Sequence, residues 1–271
     1  MFANIDKKRI YWGLGLAVFA VLFVFYAPLA LFKSFVIVVV ALCLKEYMSI
    51  ALPHHPSSSP QLGVVLGTIL SAVILFAKGG SDLWIASLTL LVVTTFVFYL
   101  FRKHEMGLIL HQIAITVLGC IYIASLFSYV GLMRALDHGV FWVFLVAGAT
   151  FMSDTGAYFV GHAMGKHKLA PLVSPGKTVE GFVGGVLGSV LATFICKLVF
   201  WQAFPKKECV IIGVLIGVIG PLGDLSESLI KRSVDVKDSG QLIPGHGGLL
   251  DRVDALLFTA PLVYYYALFR G

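Results

Sequence analysis

The chain has 271 residues, of which 59% are hydrophobic and 13% charged, with a mean hydropathy of +0.94. That balance excludes an ordinary soluble domain and points to an integral membrane protein. The formal charge of +6 does not point to nucleic acid, because the cations are scattered at segment ends and no RNA- or DNA-binding module is present.

Apolar runs of about 18 to 25 residues can each cross a bilayer core as a helix that satisfies its own backbone hydrogen bonds. The sequence therefore predicts an all-α, polytopic transmembrane helical bundle of about nine spans, near 10–27, 29–51, 61–78, 83–101, 108–133, 140–164, 178–202, 209–231 and 249–269. The first run follows the basic segment NIDKKR but is long for a signal peptide, lacks a small-x-small cleavage site and precedes further spans, so it reads as a retained helix. Lys45 and Glu46 read as an interfacial pair at the end of the second span. The loop LPHHPSSSPQ reads as an exposed turn whose His54 and His55 are solvated rather than metal-bound.

Cys43, Cys120, Cys196 and Cys209 lie singly in or beside apolar runs, without zinc or disulfide spacing, and read as buried free thiols. Small-residue pairs at Gly63 and Gly67, Gly181 and Gly185, Gly184 and Gly188, and Gly213 and Gly217 let helix backbones approach closely. Such faces could also support a homodimer. With the N-terminus in the cytoplasm, Lys7, Lys8, Arg9, Arg102, Lys103, Lys166, Lys168, Lys177, Lys231, Arg232 and Lys237 all fall inside. Lys33, Lys78, Arg134, Lys206, Lys207 and Arg270 form the sparser outer set. Ionisable groups are few before residue 135 and frequent from Asp154 onward. The division expected is an N-terminal scaffold over 1–135 and a C-terminal half over 136–271 that carries the chemistry.

A carboxylate at the centre of a membrane helix costs on the order of 3 kcal/mol, so Asp154, Asp224, Glu227 and Asp254 facing lipid would together cost about 12 kcal/mol. They must face one another, a cation or a wet cavity. Asp224, Glu227 and Lys231 share one helix face at i, i+3, i+7, and Asp251 and Asp254 share a face of the next helix. Asp224 lies about 10 Å deeper than the Lys231–Arg232 end at 1.5 Å per residue. Converging carboxylates suggest a magnesium site, and internal salt bridges with Lys231, Arg232 and Arg252 are the competing explanation. Between the two helices Pro244, Gly245, Gly247 and Gly248 break the chain and open backbone N–H groups to an anion, with His246 among them.

A second polar cluster, SDTGAYFVGHAMGKHKLAPLVSPGKTVEG, begins at Asp154 and sets Lys166, His167, Lys168, Lys177 and Thr178 in a Gly- and Pro-rich loop. The loop could cradle phosphates. It is not a P-loop, because the earlier glycine is displaced from its required spacing and no strand is expected before it.

The run SLIKRSVDVKDSGQLIPGHGGLLDRVD, from Ser228 to Asp254, resembles the full signature of the phosphatidate cytidylyltransferases, also called CDP-diacylglycerol synthases. SDTGAYFVG, GKHKLAPLVSPGKT and GDLSES are similar to the same family, although Val179 stands where its members often have Trp. The resemblance implies transfer of a cytidylyl group from CTP to phosphatidate, giving CDP-diacylglycerol and pyrophosphate with Mg²⁺, in phospholipid biosynthesis. The attacking phosphate is already anionic near neutral pH, so positioning and charge neutralisation matter more than a strong base.

On that reading Asp224 and Asp251 are the main metal ligands, with Asp254 and Glu227 beside them, and a second cation can share the site. Lys231, His246 and Arg252 join them as catalytic groups. Arg232, Lys237, Asp238, Gly247 and Gly248 contact substrate on one wall. Lys166, Lys168, Lys177 and Thr178 do so on the other, and Asp154 orients a lysine or binds ribose. The partners implied are CTP from water and phosphatidate from the bilayer, at a cell inner membrane with the site facing the cytoplasm. Two other activities are weighed beside it, a cation-coupled secondary transporter and a CTP-dependent lipid kinase.

Overall fold

The computed structural model describes residues 20–52, 58–77, 80–101, 106–240, 242 and 247–270. The chain is built almost wholly of helices. α1 (residues 20–26) leads into α2 (Leu29–Ala51), α3 (Ser58–Phe76) and α4 (Gly80–Leu100). One long helix follows, made of a 3-10 turn (Met106–Leu108), α5 (Ile109–Gly119), a π-helical turn (Cys120–Ser125) and α6 (Leu126–Met133). α7 (Gly139–Met164), α8 (Val179–Phe200), α9 (Lys206–Ser233) and α10 (Leu250–Arg270) complete it.

Six helices among the described residues are long and apolar enough to cross a membrane: Ser59–Phe76, Asp82–Leu100, Met106–Met133, Gly139–Met164, Val179–Phe200 and Lys206–Ser233. The expected count of nine is not reached on that measure. The run 10–27 lies mostly outside the described residues. α2 and α10 are helical over the expected stretches but are not among the six; α2 carries Lys33, Lys45 and Glu46, and α10 opens on Asp251, Arg252 and Asp254. The all-α expectation needs a second correction. β1 (Lys168–Ala170) and β2 (Ser174–Thr178) form an antiparallel hairpin between α7 and α8, pairing Lys168 with Thr178 and Ala170 with Ser174.

α7, α8 and α9 pack on one another through small residues. A Cβ on Gly156 of α7 would stand 2.5 Å from the Gly184 carbonyl oxygen of α8, so the two backbones touch there. Gly217 of α9 likewise leaves room for Val186, whose Cα would be 2.6 Å from an added Cβ. The glycine pairs singled out in the sequence are thus packing surfaces: Gly63 lies against Met48 and Gly67 against Leu44. Hydroxyls fasten the helices further, Ser189 to the Gly213 carbonyl at 2.5 Å, Thr193 to Cys209 at 2.8 Å and Ser71 to Ser128 at 2.7 Å. In lipid such bonds contribute about 0.6 kcal/mol each on average.

α10 is the junction of the molecule, packed against α9, α7 and α6. All four cysteines are free and buried, as their apolar settings predict. At the end of the bundle where α10 finishes, the Arg270 guanidinium lies over Trp201 and Phe204 and pairs with Glu208 at 2.5 Å. The polar residues of interest gather at the other end.

Candidate active site

α9 brings the first three residues together, as the i, i+3, i+7 spacing predicts. Pro221 has no N–H to give to the previous turn, which removes a rung from α9 one turn before Asp224. Gly223 then lets α9 meet α10 backbone to backbone: an added Cβ would lie 2.8 Å from the Asp254 carbonyl oxygen. Asp224 and Asp254 thereby face a common space, and Asp154 of α7 is near enough to both to feel their charges. Asp224 pairs with Lys177 at the end of β2, 2.7 Å away and off the hydrogen-bond direction, and accepts from Ser228 at 3.3 Å.

One turn further along α9, Lys231 ties two helices. It forms an i, i+4 ion pair with Glu227, which is 1% exposed, and donates to Asp251 Oδ1 of α10 at 2.7 Å. Salt bridging, set against metal binding in the sequence, therefore accounts for part of the cluster. Asp251 is also the anchor of the connecting loop, accepting from the Gly248 amide at 2.8 Å and the Ser239 amide at 3.1 Å. Such N–H groups at a helix start are left over by the helix itself and favour a carboxylate.

The second anchor of that loop is Glu46, which the sequence reading set aside. Glu46 is 8% exposed, while Lys45 is exposed, so the two do not form the interfacial pair expected. The Glu46 carboxylate accepts from the Leu249 amide at 2.9 Å, the Leu250 amide at 2.8 Å and the Ser239 hydroxyl at 3.2 Å. It lies flat against backbone. A Cβ on Gly240 would be 2.8 Å from Oε1 and one on Gly248 2.7 Å from Oε2, which explains glycine at both positions. Gly247, with φ +80, completes the turn. Gly248 is buried in this clasp, and Gly247 abuts Asp251; both had been expected to contact substrate.

The hairpin forms the other wall. Thr178 is buried and caps α8, accepting from the Gly181 amide at 3.1 Å, rather than presenting its hydroxyl to a ligand. Glu180, also unforeseen, accepts from the Lys166 amide at 3.0 Å and the His167 amide at 3.2 Å and lies 2.6 Å from His167 Nδ1. An acid in the first turn of a helix after a Gly-Pro loop was the available signal. A strand does precede α8, contrary to expectation, but it carries Lys177 itself and belongs to a hairpin, so the glycine spacing still separates it from a P-loop. Arg232 joins the walls, donating to the Val173 carbonyl at 3.4 Å and the Val236 carbonyl at 2.9 Å.

Lys166, Lys168, Lys237, Asp238 and Arg252 are exposed around this centre. His246, with Pro244 and Gly245, lies outside the described residues, as do His54 and His55. Among the described residues no three of His, Cys, Asp and Glu converge as a ready-made metal-binding group. Five carboxylates, Asp154, Asp224, Glu227, Asp251 and Asp254, nevertheless gather around Lys177 and Lys231, which pair with Asp224, Glu227 and Asp251. Oxygen donors in such excess suit a hard cation such as Mg²⁺ or Ca²⁺.

These features define a membrane-type helical protein whose charged groups form a two-walled acidic site at one end of α7, α9 and α10. The sequence pattern of the cytidylyltransferase family matches residues 7–269, and the chain belongs to that family. It is similar to a phosphatidate cytidylyltransferase of Bacillus subtilis (strain 168), 43% identical over 181 residues that cover 66% of this chain and 65% of the relative. Proteins of the same name from Staphylococcus saprophyticus and Staphylococcus haemolyticus are 45% and 43% identical over 126 and 128 residues. Those stretches cover 46% of this chain, and the chain spans about half the length of these two relatives, 47% of each.

Proposed function

We propose that the protein transfers the cytidylyl group of CTP to phosphatidate, releasing pyrophosphate and leaving CDP-diacylglycerol in the membrane. The observation that carries this reading is the acidic centre of Asp154, Asp224 and Asp254, flanked by Lys177 and ringed by exposed cations, in a chain of the cytidylyltransferase family. Magnesium would be held by Asp224 and Asp254, with Asp251 and Glu227 beside them and room in the donor set for a second cation. When bound it supplies charge neutralisation for the triphosphate.

The chain's own groups do the rest. A phosphatidate oxygen attacks the α-phosphorus of CTP, a new P–O bond forms and the bond to the β-phosphate oxygen breaks. Lys177 and Lys231 neutralise phosphate charge close to the reacting atoms, and Lys166, Lys168, Lys237 and Arg252 draw the polyanion in from water. His246, in the same Gly-rich sequence run as Asp251, would serve as a leaving-group contact. Holding two polyanions in line is where most of the barrier is lowered.

The nine-span arrangement, the cytoplasm-facing site and the inner membrane are part of the same proposal, because CTP enters from the cytoplasm and phosphatidate sideways from lipid. A homodimer through glycine faces would be compatible with it. Purified protein given CTP labelled in the nucleoside should place label in lipid. Label from the γ-phosphate in lipid instead would identify a lipid kinase, and no labelled lipid would leave transport.

A further inference from the structure

Tyr122 is a polar group that the site described so far does not use. It sits in the π-helical turn Cys120–Ser125, midway along the helix from Met106 to Met133. A π turn rotates one half of a helix relative to the other and recurs at functional sites. Here it buries Tyr122 to 7% exposure and sets its ring edge-on against Phe258, with centroids 6.3 Å apart and an interplanar angle of 85°. Phe258 lies four residues beyond Asp254, on the same face of α10.

The Tyr122 hydroxyl has no hydrogen-bond partner among the described residues, and neither has Glu227 Oε1, the other Glu227 oxygen being the one paired with Lys231. Tyr122 is close enough to Asp254, Glu227 and Asp224 to feel their charges, and its ring rests on Phe258 one turn from Asp254. A buried hydroxyl left unpaired costs about 1–3 kcal/mol. Two unpaired acceptors beside a carboxylate cluster fit an occupant rich in donors. A divalent cation that keeps its water fits that description: the metal end attracts carboxylates, and its waters donate outward.

We propose that Tyr122 is a positioning residue for a hydrated divalent cation held between α9 and α10, its hydroxyl accepting a hydrogen bond from cation-bound water. The inference rests on the carboxylate reading of the site given above. It brings the N-terminal half, expected to be scaffold only, into contact with the chemistry.

The test is Tyr122→Phe in the full-length protein, which keeps the ring against Phe258 and removes only the oxygen. Mn²⁺ alone is the probe, titrated by electron paramagnetic resonance, and the Mg²⁺ concentration for half-maximal turnover is measured beside it. Loss of an outer partner of a metal site weakens binding by roughly 10-fold. Both half-saturation values should rise by about that factor, with the metal-free melting temperature unchanged or raised. Equal Mn²⁺ binding by Tyr122→Phe and wild type, or a lower melting temperature with unchanged Mn²⁺ affinity, overturns the role of Tyr122 and leaves the carboxylate site standing. Absence of Mn²⁺ binding in the wild type overturns both.

Discussion

Glu46 of α2 and Leu250 of α10 are 204 residues apart in sequence, and the Glu46 carboxylate accepts the Leu250 amide at 2.8 Å. Because it also takes the Leu249 amide and the Ser239 hydroxyl, Glu46→Ala strands several donors at once. Each costs about 1–3 kcal/mol. Glu46→Gln should be nearly as harmful, since an amide offers one acceptor oxygen and turns an NH₂ toward an N–H. Thermal melting of the purified protein measures this; a Gln variant as stable as wild type would refute the clasp.

Lys231 bridges Glu227 and Asp251. Lys231→Met should destabilise the fold by about 3 kcal/mol, because the buried Glu227 and the partly buried Asp251 lose their common counter-charge. Adding Glu227→Gln should restore part of the loss. A double-mutant cycle with no coupling between the two positions would contradict the geometry.

The Lys177–Asp224 pair behaves differently, being partly open to solvent. Asp224→Asn should change stability by about 1 kcal/mol or less, while turnover falls by about 100-fold or more. Magnesium-dependent turnover close to wild type would remove Asp224 from the proposed metal site. Chelation should abolish turnover in the wild type and leave little further to lose in the variant.

Glu180 holds the hairpin from one side through the amides of Lys166 and His167. Glu180→Gln should speed hydrogen exchange across residues 166–178 by about tenfold, the equivalent of about 1.4 kcal/mol of local stability. The KM for CTP should rise more than kcat falls. Unchanged exchange would show that the hairpin stands without the clamp.

The helices were largely legible in the sequence, because their apolar runs are long and stop at Gly, Pro or charge: the expected 29–51 and 140–164 are helical at Leu29–Ala51 and Gly139–Met164. The hairpin was not. SPGKT has little strand propensity, and the acid that holds the chain entering β1, Glu180, comes from the next helix. Glu46 was misread because it was paired with its neighbour in sequence, whereas consecutive helical residues point about 100° apart. The cost argument applied to Asp154 and Asp224 would have marked Glu46 equally. Asp251 was correctly picked out as part of the polar centre, but its bonds to Ser239 and Gly248 come from a turn that periodicity cannot foresee.

The clasp of Glu46 on the start of α10 also fixes an order of events during synthesis. Glu46 is made early, and among the described residues its carboxylate accepts from Ser239, Leu249 and Leu250, so the acid must wait through most of translation for these donors. Completion of the last helix is then the step that locks the first half, the acidic centre and the connecting turn together. A nascent chain halted before α10 would hold Glu46 and the acids of α7 and α9 without Asp251 and Asp254, and so could not complete the site.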